Sequence, residues 1–311
     1  MVNETKKIYD AIVIGGGPAG VSAAVYIASR GYNPIILEKN EIGGTIGKVS
    51  SVTHYLSVDN YETGESFKEK LEKQLKVYNI EVLKQEVLNL DTENLLKKVI
   101  TKSGEVYFTR VIVLANGTTP RKLGALGENE LVGKGICSNP WKEGKNYVGK
   151  NIFVVGGADG AIKEAIYLAQ FAKELSIIHF EEVLGTIAEF KNKLEKLENV
   201  KLYLHSRLTK INGKDEIESI EITDEKTKNK KEIECKGAGI FVYAGAIPNT
   251  ENYKNIDLEN GYIKTDSKMK TNIEGVFAAG DICSKDIRQV ATAVSDGTIA
   301  GINASNYLKT I

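Results

Sequence analysis

Three glycines and one carboxylate near the start of the chain have the types and spacing of a dinucleotide site. Gly15, Gly17 and Gly20 follow an apolar run, and Glu38 ends the next such run. The first glycine permits a tight turn, the second lets a pyrophosphate approach the backbone, and the third lets a helix pack against a strand. The carboxylate can accept hydrogen bonds from an adenosine ribose. We therefore predict a strand, a glycine turn and a helix N-terminus that bind the pyrophosphate of a dinucleotide.

A similar arrangement recurs in the middle of the chain. An apolar run ends at Gly156 and Gly157, and Asp159 precedes a helical pattern. The following apolar run ends at the acid Glu181. Ala158 occupies the position of the second glycine, and its methyl group lies where a pyrophosphate should approach. Two interpretations stay open for this half of the chain: a bound nucleotide, or a retained fold with an empty site.

Apolar periodicity predicts the elements that must position these groups. Helices are expected at about 21–30, 66–78, 162–173 and 290–308. Strands are expected at 9–14, 33–38, 81–91, 97–101, 105–109, 110–117, 150–155, 175–181, 200–205, 217–223, 231–235, 239–245 and 275–281. The charged stretch at 224–231 is interpreted as the solvated tip of a hairpin. Strands that alternate with helices indicate nucleotide-binding units of the α/β class.

Length, charge and the numbers of cysteines and histidines exclude several classes of function. The 311 residues suggest two domains, and 41 basic side chains balance 41 acidic ones, so no nucleic-acid or membrane-surface partner is indicated. No apolar run approaches the roughly 20 residues of a membrane span, and no signal peptide precedes the first strand, so we expect a cytoplasmic protein. Cys137, Cys235 and Cys283 form no CxxC pair, and with only three histidines no metal site is predicted.

The order of motifs resembles that of the low-molecular-weight thioredoxin reductases over nearly the whole chain. The residues that carry the resemblance are the glycine fingerprints at 15–20 and from 156, together with Gly43-Gly44-Thr45, Ala115-Asn116-Gly117, Pro248-Asn249-Thr250, 258–264, 275–281 and Arg288-Gln289.

This resemblance implies an α/β protein with two Rossmann-like nucleotide-binding domains of the three-layer ββα type, the second inserted in the first. An FAD-binding domain would comprise residues 1–117 and 246–311, an NAD(P)-type domain would comprise 118–245, and the protein would be a homodimer. The residues implied to bind FAD are Gly15, Gly17 and Gly20 at the pyrophosphate, Glu38 at the ribose, Asp281 at the ribityl and phosphate region, Arg288 and Gln289 at the flavin end, and in addition Gly44, Thr45, Asn116 and Gly117.

The redox dithiol of that family is missing. Aligned without a gap, its CxxC falls on Asn139, Pro140, Trp141 and Lys142. A dithiol relay needs two sulfurs within bonding reach. Cys137 lies two positions earlier and is interpreted as a buried structural residue. Lys142 and Glu143 are candidate catalytic residues, with solvated side chains as the alternative.

The nucleotide motif differs too. The family's His-Arg-Arg-x-x-x-Arg, which clamps the 2′-phosphate of NADPH, reads His179-Phe-Glu-Glu-Val-Leu-Gly185 here. Because Glu181 accepts from a ribose diol and repels a phosphate, we expect NADH rather than NADPH.

Near the flavin, the family's Asn-Trp-Pro-Gly becomes His54-Tyr-Leu-Ser57. His54 is a candidate proton donor to the flavin, with a structural hydrogen bond to FAD as the alternative.

We therefore predict an FAD-dependent oxidoreductase that passes electrons through a non-covalent flavin, with NADH as donor and a small molecule or small redox protein as acceptor. One alternative is a ferredoxin-linked enzyme, whose vacant nucleotide site could hold a second flavin. The other is a flavin-binding sensor or complex subunit without turnover.

Overall fold

The computed structural model describes residues 7–59 and 62–311. The chain forms two compact units. Unit 1 comprises Met1–Gly47, Ser51–Thr119 and Ile247–Ile311, and unit 2 comprises Lys48–Ser50 and Pro120–Ala246. Apart from the three residues at 48–50, the chain changes unit at 119/120 and 246/247, within two residues of the domain boundaries that the resemblance implies.

The described residues in the first part of unit 1 form seven strands and two helices. The strands are β1 Ile8–Ile14, β2 Pro34–Glu38, β3 Glu81–Lys84, β4 Val87–Asp91, β5 Lys97–Thr101, β6 Val106–Leu114 and β7 Thr118–Pro120, and the helices are α1 Pro18–Ala28 and α2 Gly64–Val77. The main sheet has the order β3-β2-β1-β6-β5-β4. β1 is parallel to β2 and β6, with Ile12 opposite both Ile35 and Ile112.

Unit 2 contains eight strands and three helices. They are β8 Ile136–Cys137, α3 Pro140–Glu143, β9 Asn151–Val155, α4 Asp159–Ala169, β10 Glu174–Ile178, α5 Ala188–Leu194, β11 Val200–Tyr203, β12 Ser206–Gly213, β13 Ile217–Asp224, β14 Lys230–Glu234 and β15 Gly239–Val242. β11-β10-β9-β15-β8 form a parallel sheet, and β12-β13-β14 form an antiparallel one. The charged tip at 224–231 joins β13 to β14, as predicted.

The chain then returns to unit 1. The remaining elements are β16 Ala246–Pro248, β17 Leu258–Glu259, β18 Tyr262–Ile263, β19 Val276–Ala278 and α6 Val290–Leu308. β19 pairs in parallel with β6, and α6 packs against α1, where Ser22 Oγ donates to the carbonyl of Val294 at 2.9 Å. These parallel sheets with flanking helices confirm the predicted class of Rossmann-like α/β domains.

Both faces of the central strands are buried. Ile12 and Ile14 of β1 contribute to one apolar cluster with Ile112 and Leu114 of β6, while the alternate residue Val13 is equally inaccessible. Near-continuous apolar runs are typical of parallel strands that are covered on both faces. For the described residues, no helix is both long and apolar enough to cross a bilayer.

Several predicted elements differ from those in the structure. The strand expected at 81–91 is two strands, because β3 and β4 lie at opposite edges of the sheet. The strands expected at 105–109 and 110–117 are the single strand β6. β10 ends at Ile178 rather than at Glu181, and β12 was not predicted. By contrast, Phe67, Leu71 and Leu75 are buried along one face of α2, as their spacing predicts.

Candidate cofactor and nucleotide sites

The glycine turn of unit 1 joins β1 to α1. Gly15 has φ +104°, a conformation that favours glycine, and its N–H donates to the carbonyl of Leu37 at 2.9 Å. A side chain at Gly20 would collide with the carbonyl of Gly15. Gly17 precedes the first residue of α1 with φ −74° and ψ −179°, which any residue can adopt. No described atom would lie within 4 Å of a β-carbon at Gly17, so the fold itself does not require glycine there.

The carboxylate of Glu38 is fixed by backbone donors. Its Oε2 accepts from the N–H of Gly16 at 2.7 Å, and its Oε1 accepts from the N–H of Asn40 at 2.7 Å. Each carboxylate oxygen has a second lone pair. The group is thus held beside the glycine turn and can still accept hydrogen bonds from a ribose.

The Gly43-Gly44 turn approaches the same point. The N–H of Gly43 donates to the carbonyl of Gly16 at 2.8 Å. A β-carbon on Gly44 would lie 3.4 Å from Gly17 Cα. Thr45 follows on the exposed side of this turn. Backbone from two separate stretches therefore lines the space in front of Gly17.

Asn116 and Asn249 form a reciprocal amide pair at the end of β6. Asn116 Nδ2 donates to the carbonyl of Asn249 at 2.9 Å, and Asn249 Nδ2 donates to the carbonyl of Asn116 at 2.7 Å. The carbonyl of Gly117 accepts from the N–H of Asn249 at 3.1 Å. Asn116 Oδ1 is buried without a partner among the described residues. Asn249 was not among the predicted site residues; only its place in the Pro248-Asn249-Thr250 motif marked it.

Asp281 and Arg288 lie in the loop before α6. Burial raises the pKa of the Asp281 carboxyl, and the cations of Lys285 and Arg288 offset this only in part. The guanidinium carbon of Arg288 lies 4.0 Å from the centre of the Tyr262 ring, and its Nε donates to the Asp281 carbonyl at 3.4 Å. Gln289 precedes α6, where its N–H donates to Thr292 Oγ1 at 3.1 Å in a capping box.

The three candidate catalytic residues lie in different settings. His54 is exposed and has φ +58°, an uncommon conformation in which histidine is enriched. Lys142 is exposed within α3. Glu143 Oε2 accepts from the N–H groups of Ser138 and Asn139 at 2.9 and 2.6 Å, so its carboxylate stabilises the turn before α3. Their catalytic roles stay predictions.

The glycine turn of unit 2 repeats the geometry of the first. The N–H of Gly156 donates to the carbonyl of Ile178 at 3.0 Å, as that of Gly15 does to Leu37 at 2.9 Å. Ala158 precedes α4 with φ −85° and ψ 173°, within about 11° of the angles at Gly17. The methyl group of Ala158 is exposed, in the position that is open space at Gly17.

His179, not Glu181, takes the place of Glu38 in unit 2. His179 directly follows Ile178, whose carbonyl accepts from the glycine turn. A β-carbon on Gly157 would lie 2.5 Å from His179 Cδ2. Glu181 lies two residues further, and its Oε2 is 3.2 Å from His179 Nε2. The prediction that Glu181 ends the strand was therefore wrong, and the carboxylate reaches the glycine turn only through the imidazole.

Asp159 holds the loop that follows β10. Its Oδ1 accepts from Thr186 Oγ1 at 2.9 Å and from the N–H of Ile187 at 2.8 Å. This carboxylate therefore fixes the loop. Within the described residues, no cluster of three or more His, Cys, Asp or Glu side chains could bind a metal ion.

Comparison with known proteins shows the family to which this chain belongs. The family of pyridine nucleotide-disulphide oxidoreductases matches residues 9–297. The chain belongs to this family. A thioredoxin reductase from Peptoclostridium acidaminophilum is 36% identical over 310 residues, which cover 98% of each chain. A 34.2 kDa protein in the rubredoxin operon of Clostridium pasteurianum is 36% identical over 97% of this chain and 98% of its own.

A solved structure gives the same result. The thioredoxin reductase of Lactococcus lactis superimposes with a TM-score of 0.92 at 32% identity, over 97% of this chain and 100% of that one. The chain is thus a thioredoxin reductase-like, FAD-dependent oxidoreductase of the pyridine nucleotide-disulphide oxidoreductase family.

The residues of unit 1 fit FAD. The open space at Gly17 suits a pyrophosphate, and the buried Asn116 Oδ1 lacks a donor that a cofactor hydroxyl could supply. An unpaired buried acceptor costs about 1–3 kcal/mol. The half-buried Asp281 carboxyl offers a second acceptor.

Proposed function

We propose that this flavoprotein passes electrons from NADH through a non-covalent FAD to its acceptor without a dithiol relay. The observation that carries the proposal is the segment that corresponds to the family's CxxC. It contains no sulfur and forms the capped helix α3, where Asn139 Oδ1 accepts from the N–H of Lys142 at 3.0 Å. The carboxylate of Glu143 completes this turn. This capped turn supports electron transfer without a redox pair at this segment.

The remaining thiols support the same view. Cys137, Cys235 and Cys283 are free and buried. Burial raises the pKa of each thiol to about 12. Because the thiolate is the nucleophile, such cysteines are poor partners for disulfide exchange.

The protein's own residues would position the reactants. The glycine turn would bind the FAD pyrophosphate through its N–H groups, Glu38 would orient the ribose, and Asp281 would accept from the ribityl chain. When bound, FAD supplies hydride and single-electron chemistry. In unit 2, Glu181 would accept from the free ribose diol of NADH. We also propose that the protein is a homodimer.

The test is anaerobic mixing of the FAD-loaded protein with NADH, followed by exposure to candidate acceptors. Loss of flavin absorbance on mixing, and its rapid return with one defined acceptor, is the expected result. Reduction that no acceptor reverses would favour a flavin-binding sensor instead. No reduction by NADH would overturn the proposed donor.

A small one-electron redox protein as donor is the second candidate. Two observations favour it: the exposed methyl of Ala158 lies where a pyrophosphate would approach, and one similar protein comes from a rubredoxin operon. Reduction of the flavin by reduced ferredoxin or rubredoxin, but not by NADH, would establish this donor.

The thiols are expected to be unreactive in the native protein. With a pKa of about 12, only about one thiol in 10,000 is ionised at pH 8. We expect a chromogenic disulfide reagent to label none of the three cysteines natively and all three in denaturant. We also expect no thioredoxin reduction with NADPH. A disulfide between any two of them that reduces together with the flavin would contradict this prediction.

Removal of one methyl group is expected to strengthen NADH binding. Ala158→Gly should lower the Kd about tenfold, since overpacking costs typically 1–3 kcal/mol. Ala158 is the N-cap of α4, a position where glycine is preferred over alanine, so the substitution should not weaken the start of the helix. The matched control is Gly160→Ala, which adds a methyl where no described atom lies within 4 Å and should leave the Kd unchanged. Equal effects of both substitutions on calorimetric titration would refute the role of Ala158.

A further inference from the structure

An ion pair joins the loop before α6 to the second turn of that helix. Lys285 Nζ lies 2.5 Å from Asp296 Oδ2, and the two side chains are only 17% and 14% exposed. Removing two charges from water costs free energy that their mutual attraction often fails to repay. Such a pair is weak evidence for stability, and its value lies in the groups that it holds in place.

The same carboxylate oxygen fixes the backbone that carries Asp281. Asp296 Oδ2 accepts from the N–H of Gly280 at 3.1 Å. Gly280 has φ +83°, and a β-carbon there would lie 2.8 Å from the β-carbon of Ala19 in α1. The chain therefore reaches Asp281 through a residue that is packed against one helix and hydrogen-bonded to another.

The strands β17 and β18 hold the other side of this loop. The N–H of Ser284 donates to the carbonyl of Ile263 at 2.9 Å, and Ser284 Oγ donates to Glu259 Oε2 at 2.6 Å. Ser284 directly precedes Lys285, so both partners of the ion pair start from fixed backbone. The loop is thus preformed, which reduces the entropy lost when a ligand binds.

Lys285 also supplies positive charge to Asp281. Burial raises the pKa of the Asp281 carboxyl, Lys285 and Arg288 lower it, and Asp296 raises it further. The neighbouring Cys283 is a neutral thiol, since burial raises its pKa to about 12. No described residue donates a hydrogen bond to the Asp281 carboxylate, so its oxygens are left for a ligand.

We propose that Asp296 and Lys285 are positioning residues for FAD: Asp296 fixes the backbone that carries Asp281, and Lys285 supplies the positive charge that the two carboxylates share. Both residues act through Asp281, so neither needs to contact the cofactor. This inference rests on the proposed binding of the ribityl chain by Asp281. A charged acceptor that is held in one place gives a stronger hydrogen bond at a smaller cost in entropy.

Two double variants isolate the hydrogen bond to Gly280. Lys285→Met with Asp296→Asn and Lys285→Met with Asp296→Leu both lack the two charges, but only asparagine keeps an oxygen for the Gly280 N–H. The purified flavoproteins are diluted serially, and the recovery of flavin fluorescence gives the Kd for FAD. We expect the leucine variant to bind FAD at least about tenfold more weakly than the asparagine variant, the effect of one misplaced hydrogen bond to a charged group.

Circular dichroism establishes that each variant is folded at the temperature of the measurement. The matched control is Lys98→Met with Asp91→Leu, which removes another ion pair of unit 1, with Nζ and Oδ2 2.7 Å apart. This control should bind FAD like the parent protein. Folded double variants that release FAD at the same concentration would leave Asp296 only structural and refute its positioning role.

Lys285 is tested by the pH dependence of FAD binding. A protonated Asp281 is a weaker acceptor than the carboxylate, so the affinity is expected to fall as the pH drops through the pKa of Asp281. Lys285→Met removes a charge that lowers this pKa and should move the fall to higher pH. Asp296→Asn removes a charge that raises it and should move the fall to lower pH. Shifts in the same direction, or no shifts, would overturn the role of Lys285.

The variant Asp281→Asn distinguishes this inference from the function on which it rests. If this variant releases FAD as the parent protein does, the proposed role of Asp281 is wrong and the positioning role is wrong with it. If it binds FAD more weakly while both double variants bind like the parent protein, Asp281 keeps its role and only the positioning pair is refuted. The proposed donor is tested separately, by reduction of the flavin in the parent protein.

Discussion

A valine at Gly17 is expected to yield a folded protein that has lost its yellow colour. Valine fits the backbone angles at this position, and its β-carbon would meet no described atom within 4 Å. The FAD pyrophosphate, however, would be displaced from the N–H groups of the turn. Charge-assisted hydrogen bonds contribute about 1.5–3 kcal/mol each, so loss of two of them should weaken FAD binding at least ~100-fold.

The ratio of flavin to protein absorbance after purification measures this effect, and circular dichroism with thermal unfolding reports the fold. Gly185→Val is a suitable control, because Gly185 also faces open space and has no left-handed φ. That variant should remain yellow. One equivalent of FAD bound to Gly17→Val would show that the pyrophosphate lies elsewhere.

NADPH is expected to bind at least ~100-fold more weakly than NADH, a difference of about 2.7 kcal/mol. Two unit charges ~5 Å apart at an effective dielectric near 20 repel by about 3 kcal/mol. Solvent screens the Glu181 side chain, which is 56% exposed, while a 2′-phosphate carries more than one unit of charge. No arginine stands at 180–185 to offset the repulsion.

A reversed charge should invert this preference. Glu181→Arg is expected to bring NADPH to the affinity of NADH or beyond, because a guanidinium pairs with a phosphate. Glu182→Arg makes the same change one residue away and is the matched control; it should shift the ratio far less. Anaerobic stopped-flow measurement of flavin reduction at varied nucleotide concentrations gives both affinities. Fast reduction of the parent protein by NADPH at low concentration would contradict the role of Glu181.

Structural features that depend on residues close together in the sequence were predicted well. The glycine turns, α1 and α6 follow from local spacing, and Phe67, Leu71 and Leu75 recur every four residues and form the buried face of α2.

β12 was missed because its pattern is interrupted. Its buried apolar residues Leu208 and Ile211 are three apart, whereas a regular strand buries every second residue. A shift in register between Leu208 and Lys210 accounts for the extra residue. Such a bulge depends on pairing with β13, which the sequence alone does not reveal.

The same difference between features set by local sequence and features set by strand pairing is seen in the two sites. The position of Glu38 could be predicted, because β2 is short and wholly apolar before it. The exchange of roles between His179 and Glu181 could not be predicted, because it depends on where β10 stops. The N–H of His179 donates to the carbonyl of Tyr203 at 2.9 Å, so a residue of the neighbouring strand β11 fixes the path of the chain there.

The order of the strands in unit 1 has a consequence for synthesis on the ribosome. β6 is made early, but its neighbour β19 and the helix α6, which covers α1, follow only after the whole of unit 2. At about 5–20 residues per second, the roughly 60 residues between Pro248 and Leu308 take about 3–12 s. Unit 2 can therefore fold on the ribosome while unit 1 still exposes apolar surface. Asp281 and Arg288, which are proposed to bind FAD, also lie after unit 2 in the chain, so we expect complete flavin binding only after this last part of the chain has emerged.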